Sequence, residues 1–233
     1  MSWRQACASA APGGGHAAGP IPTFMSTNPI VIERYRRHAA GYDASAARTM
    51  ALRHRTIALL QLQPGQTVVD AGAGTGLSYA ALRQGVGPEG RVLAFEQSPE
   101  MFALAQARVQ REGWRNVWHV NEAAEAVRLP APADAVLFNY VHDITRSRAA
   151  LDNLLGQVKP GARVAIAGMK FFPWWTGPLN LWVWLKCRPY SAGAGELWQP
   201  WRHVAARCSD FRWTATQGGM GFVGSGIFRG RGR

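Results

Sequence analysis

The sequence predicts an α/β chain: a doubly wound, mostly parallel sheet of seven strands with an antiparallel strand at its C-terminal end. Five short apolar runs alternate with helical patterns between residues 67 and 168. That pitch calls for parallel strands covered on both faces. A glycine-rich stretch follows the first run directly, where such a sheet turns from strand to helix. Two further strand patterns, Phe211–Gln217 and Gly221–Phe228, close the chain with no helical pattern between them. The second of these must therefore run against the first.

Taken in order, residues 1–24 are Ala, Gly and Pro around Gly13, Gly14 and Gly15. They offer little apolar surface to offset ordering entropy, so disorder is expected there. Residues 25–233 are expected to form one domain. Within it, residues 25–62 read as a helical lid carrying Tyr35 and Tyr42, which ends at Pro64-Gly65. The expected strands are Thr67–Asp70, Arg91–Glu96, Val117–Asn121, Ala135–Phe138 and Arg163–Gly168, followed by the closing pair. The expected helices are Gly76–Arg83, Pro99–Glu112 and Arg146–Val158, with a short turn near Glu122–Val127. Residues 170–205 are rich in Trp, Pro and Gly and read as a substrate-shaping insertion.

Composition bounds the function classes. Only 17% of residues are charged, yet the net charge is +12. This suits an acidic partner: nucleic acid, an anionic membrane surface or an acidic substrate. An arginine-heavy, alanine-rich coding bias explains it equally, since only Lys159, Lys170 and Lys186 are lysines among 26 basic residues. Cys7, Cys187 and Cys208 match neither a metal knuckle nor a redox pair, so no metal is expected. The apolar stretch Phe171–Leu185 is broken by prolines and is shorter than a membrane span. A cytoplasmic protein is expected, with peripheral membrane contact as an addition.

The segment from Val68 to Leu77 carries the most chemistry. Glycines stand at Gly72, Gly74 and Gly76, with Asp70 two residues ahead. A dinucleotide loop would need glycine at position 77, which is Leu, and no Lys-Ser/Thr follows as in a P-loop. The loop therefore suits a ligand without phosphates, or is a glycine-rich turn of another α/β domain. Glu96 ends the second strand, where a carboxylate can accept hydrogen bonds from both ribose hydroxyls. Taken alone it is equally a solvated strand-end charge. Ser98-Pro99 then starts a helix.

Asp70–Gly76 resembles motif I of the class I S-adenosylmethionine (SAM)-dependent methyltransferases. Glu96 with Ser98-Pro99-Glu100-Met101 resembles their second motif. Asn121–Glu125, Leu129-Pro130 and Asp134 resemble motifs of the ubiquinone/menaquinone-methyltransferase-like branch. Lys159–Arg163 resembles the turn before their fifth strand. The resemblance covers roughly residues 30–170 and implies a Rossmann-like fold with SAM as cofactor. It implies that Gly72, Gly74 and Gly76 line the methionine and ribose, that Asp70 takes the methionine end and that Glu96 takes the ribose. It further implies that Gln97 and Met101 border the adenine, and that Glu122 and Ala123 face its edge, with Asn139 near the cofactor. The family often has Asp at the position of Glu122.

Methyl transfer from a sulfonium is an in-line displacement with a neutral leaving group, so positioning can suffice. A base is needed only where the acceptor must lose a proton. The candidates follow the fourth strand: His142 as a base, and Asp143 to orient it or bind an amine. A hydrogen-bonded structural histidine and a helix-capping aspartate are the alternatives. Tyr42 on the lid is a third candidate, or a packing aromatic. Trp174, Trp175, Trp182, Trp184, Trp198 and Trp201 can cage an ammonium, hold an apolar acceptor, dock on lipid, or pack a helix onto the sheet. The expected activity is methylation of a small-molecule or lipid-like acceptor, with contact to an anionic membrane. RNA methylation and noncatalytic SAM binding stand as alternatives, and nucleic acid is disfavoured because no RNA-binding module is visible.

Overall fold

The computed structural model describes residues 49–187 and 197–230. Residues 1–24, most of the lid including Tyr35 and Tyr42, and part of the Trp-rich segment lie outside the described residues.

Seven strands form one sheet: β1 (Thr67–Ala71), β2 (Arg91–Glu96), β3 (Val117–Asn121), β4 (Ala133–Asn139), β5 (Val158–Met169), β6 (Cys208–Thr216) and β7 (Gly221–Phe228). The described helices are α1 (Met50–Ala58), α2 (Tyr79–Val86), α3 (Pro99–Arg111), α4 (His142–Arg146), α5 (Arg148–Leu155), α6 (Gly177–Cys187) and α7 (Arg202–Ala205). The spatial order is β3-β2-β1-β4-β5-β7-β6. Strands β1 to β5 pair in parallel, whereas β7 is antiparallel to both β5 and β6. Thus β7 alone runs against the sheet, as the sequence pattern predicts.

Side-chain alternation divides the core between two faces. Val68, Val92, Ala94, Ala135 and Leu137 pack with Ile57 of α1, Tyr79 and Leu82 of α2 and Ala105 of α3. Val69, Leu93, Phe95, Val136 and Phe138 pack with Leu151 and Leu154 of α5 and with Trp201 and Val204. Burying Phe95, Phe138 or Leu137 in full contributes on the order of 1.5–3 kcal/mol each. At the opposite end of the sheet from the glycine loop, Asp134 accepts the Thr67 N–H at 2.9 Å and pairs with Lys159 Nζ at 2.6 Å. It ties β1, β4 and β5 together there.

The helix expected over Arg146–Val158 is α5, shorter at both ends (Arg148–Leu155), and the separate short helix α4 (His142–Arg146) precedes it. Ser147 adopts extended backbone, ending α4, and its Oγ accepts the Ala150 N–H at 3.1 Å, starting α5. A serine that can cap is worth more at a break than in a helix interior, where it competes with the backbone.

Candidate functional site

The strand order reverses between β1 and β4, which puts a crevice beside the carboxyl end of β1. The same alternation that turns Val68, Val92 and Ala94 toward α1, α2 and α3 turns Asp70 and Glu96 to that face. The two carboxylates thus meet at adjacent strand ends.

The loop between β1 and α2 holds positive φ at Gly72 (63°), Gly74 (58°) and Gly76 (76°). Two of these glycines leave room for packing. A Cβ on Gly72 would stand 2.8 Å from Val141 Cγ1, and one on Gly76 would stand 2.5 Å from the Tyr79 ring. At Gly74 the nearest atom is Met101 Cε at 4.0 Å, so this turn of the loop lies against open space.

Glu96 fixes that turn. Its Oε2 accepts the Gly74 N–H and its Oε1 accepts the Ser98 N–H, both at 2.9 Å. Burial pushes the Glu96 carboxyl up, and the N–H groups of Ser98, Gly74 and Gln97 oppose it. Asp70 is 2% exposed, and its Oδ2 has no hydrogen-bond partner among the described residues. Burial pushes its carboxyl up to about 7; Arg53 opposes this and Glu96 adds to it. Asn139, at the end of β4, is buried with both amide atoms unpartnered among the described residues. Buried polar atoms are rarely left orphaned without a ligand or water to take them. These orphans and the open side of Gly74 fit a polar, cradled ligand.

The other expected residues are spread around this crevice. Met101 is buried below the loop, and Gln97 is half-buried. Glu122 is exposed, with its carboxylate accepting the Ala123 N–H at 3.1 Å, while its own N–H holds the Glu96 carbonyl at 3.1 Å.

His142 opens α4 and lies across β5. Its Nε2 accepts the Met169 N–H at 3.1 Å. A Cβ on Gly168 would collide with the imidazole at 2.7 Å. Burial pushes its pKa down to about 4, and the Arg146 charge adds to this. Asp143 is half-buried and paired with Arg146 at 2.9 Å. Burial raises its carboxyl, Arg146 opposes this, and Glu125 adds to it.

The tryptophans divide. Trp201 is core, stacked on Trp213 at 4.0 Å and tilted against Phe222. Trp198 meets Phe171 edge-on at 5.1 Å, and Trp184 packs on the cluster of Phe171, Val183 and Leu197. Trp174 and Trp175 are 75% and 70% exposed, and Trp182, Leu179, Leu181 and Leu185 join them at the surface.

Arg53 was missed by sequence reasoning. It is 6% exposed, its Nε donates to Thr49 Oγ1 at 3.3 Å, and its guanidinium lies 5.6 Å from the Tyr140 ring centroid. Its helical spacing from Met50 and Ile57 was the available signal: three and four residues place it on the apolar face. Among the described residues no helix is long and apolar enough to cross a membrane.

A family profile described as "Methyltransferase domain" matches residues 68–161. Over 115 residues the chain is 36% identical to a protein-L-isoaspartate O-methyltransferase of Aeropyrum pernix, covering 48% of this chain and 42% of that protein. It is 30% identical over 112 residues to an arsenite methyltransferase of Halobacterium salinarum, covering 47% and 29%. It is 32% identical over 113 residues to a protein-L-isoaspartate O-methyltransferase of Arabidopsis thaliana, covering 45% and 46%. The chain spans less than half the length of these curated relatives. The fold is shared with a SAM-dependent methyltransferase from Aquifex aeolicus, at TM-score 0.51 and 22% identity, covering 76% of this chain and 89% of that one. It is shared too with the N-methyltransferase NodS from Bradyrhizobium japonicum in complex with S-adenosyl-L-homocysteine, at TM-score 0.55 and 16% identity, covering 76% and 86%.

These relatives correct the expected partners. The name that recurs from archaea to plants is that of a protein methyltransferase, which removes the support for a small-molecule or lipid-like acceptor and for the membrane contact inferred with it. The stretch that matches the methyltransferase-domain profile, residues 68–161, is the one that carries the Glu96-held glycine turn within the seven-stranded order.

Proposed function

We propose that this chain is a SAM-dependent methyltransferase whose acceptor is a carboxylate carried by a protein. The cofactor half rests on the Glu96 cradle, in which one buried carboxylate holds the N–H groups of Gly74 and Ser98 and keeps lone pairs for a ribose. In this reading Gly72, Gly74 and Gly76 shape the loop, and Asp70 and Asn139 offer their orphaned polar atoms. Gln97, Met101, Glu122 and Ala123 border the base. SAM supplies a methyl group on a positive sulfur, ready for displacement.

That both candidate bases after β4 are already engaged supports the acceptor half. The His142 lone pair is already accepting the Met169 N–H, and Asp143 is paired with Arg146. A nucleophile that arrives without a proton, such as a carboxylate, needs no base. The names of the isoaspartate relatives agree with this chemistry. The exposed apolar segment of Trp174, Trp175, Leu181 and Trp182, which follows the carboxyl end of β5, suits a polypeptide partner. The quinone-methyltransferase-like branch rests on motif resemblance alone.

Incubation of the purified protein with methyl-labelled SAM tests the reading. A peptide containing isoaspartate should take up label that alkali releases as methanol, the behaviour of a methyl ester, and its aspartate counterpart should take up little. Alkali-stable label on RNA or arsenite, with none on the peptide, would overturn the acceptor.

A further inference from the structure

Helix α6 is apolar on two opposite sides. Its Val183 is fully buried and packs with Trp184 against Phe171 and Leu197. At 3.6 residues per turn, Leu179, Leu181, Trp182 and Leu185 fall on the other side of the helix, and all four are exposed. The turn that carries Trp174 and Trp175 packs against α6 and extends that surface. These six side chains are 45–75% exposed. Of the nine large apolar side chains exposed among the described residues, eight lie between residues 174 and 213, and Leu104 alone lies elsewhere. The exposed apolar surface is therefore gathered rather than scattered. A helix that is apolar all round is ordinarily a buried one.

The chemistry of the face selects what covers it. No charged residue occurs from Phe171 to Leu185, in a chain of net charge +12. The polar side chains of the stretch are engaged by its own backbone. Asn180 Oδ1 accepts the Phe172 N–H at 2.8 Å, and its Nδ2 donates to the carbonyls of Phe172 and Pro173. Thr176 Oγ1 donates to the Pro173 carbonyl at 2.7 Å. The face thus offers apolar contact and little polar recognition. At roughly 200–250 Å² per tryptophan, and somewhat less per leucine, the exposed surface of the six is on the order of 700 Å². This exceeds the roughly 300–600 Å² usual for the largest apolar patch on a monomer, and approaches the roughly 800 Å² that each partner gives to a stable interface. Two copies that each carry +12 repel wherever their charges meet, so a charge-free face is where they can touch. A two-fold pairing sets such a patch against itself.

We propose that this face is the interface of a homodimer, in which α6 and the Trp174-Trp175 turn of one copy pack on those of a second. Strand β5 leads into the turn from its carboxyl end, so the interface stands at the end of the sheet that carries the glycine loop. The polypeptide partner that this face suits is then the chain itself, and the acceptor is read from the engaged bases after β4 and the names of the relatives.

Sedimentation velocity on the full chain tests the interface. The native protein should be a dimer with a dissociation constant of about 1 µM or tighter, the weak end for an interface of this size. Salt at about 1 M should preserve the dimer, because no charges meet across it. Leu181→Glu combined with Leu185→Glu sets like charges against each other and should weaken association about 100-fold or more, while the monomer keeps its native circular dichroism. Trp175→Gln, a milder change at an exposed side chain, should weaken it about tenfold or more. Leu104→Glu, on α3, should leave the dimer intact. A native chain that stays monomeric to about 50 µM would overturn the proposal, whether or not it then captures neutral phosphatidylcholine vesicles. A dimer that salt dissociates, or that survives the Leu181→Glu, Leu185→Glu and Trp175→Gln changes, would overturn it as well.

Discussion

The imidazole of His142 and the backbone of Met169 are joined by one hydrogen bond, in which Nε2 accepts the Met169 N–H at 3.1 Å. The bond clips the start of α4 to the last residue of β5, and it requires a neutral ring. Gly168 beneath the ring makes room for it.

The first prediction follows from that clip. His142→Ala should cost about 1–3 kcal/mol of stability, the penalty for leaving a buried donor unpaired, and leave S-adenosylhomocysteine affinity nearly intact. The folded-state pKa, about 4, lies below the ordinary 6.5, so the stability this group contributes is present above about pH 6.5 and is lost as pH falls toward 4. Melting curves at both ends of that window, for the native protein and the variant, should show the native acid sensitivity reduced in His142→Ala. A variant that melts like the native protein but transfers no methyl would instead make His142 a base.

Glu96→Ala tests the cradle. The substitution removes the acceptor for two backbone N–H groups and for the proposed ribose hydroxyls. Calorimetry should show S-adenosylhomocysteine weakened by about 1.5–3 kcal/mol, the worth of hydrogen bonds to a charged group.

The three glycines should separate by cause. Alanine at Gly72 must displace Val141, and alanine at Gly76 must displace Tyr79, so both variants should lose melting temperature sharply. Alanine at Gly74 meets only Met101 at 4.0 Å and carries chiefly the left-handed backbone strain, about 1 kcal/mol. Gly74→Ala should therefore stay folded and show its defect in cofactor affinity.

Asp70 should give binding a pH signature. Two charged groups act on it: Arg53 from α1 and Glu96 from β2. Its folded-state pKa of about 7 is above the ordinary 3.8, so its burial costs stability increasingly as pH rises from about 4 to about 7. Binding of an ammonium requires the charged form and should expel the proton. At about pH 6, titrations in buffers of different ionisation enthalpy should show proton release on binding of S-adenosylhomocysteine, fading well above pH 7. Asp70→Asn should abolish the release.

What the sequence by itself determined was local and periodic. The apolar runs at strand pitch, the glycine turn after β1, the carboxylate ending β2 and the Ser98-Pro99 helix start depend on near neighbours. The reversed final strand was also legible, because two strand patterns joined by a short turn have one pairing open to them. Tertiary structure decided who meets whom. That the His142 lone pair would be taken by a backbone N–H 27 residues away depends on the β4–β5 register, which no local pattern carries. Arg53 is buried because α1 is laid against β4 and β5. The Trp-rich segment read as one feature, yet Trp201 entered the core while Trp174 and Trp175 stayed in solvent. Burial is a property of the packed elements, and composition fixes only how much apolar surface there is to bury, not which side chains the fold will cover.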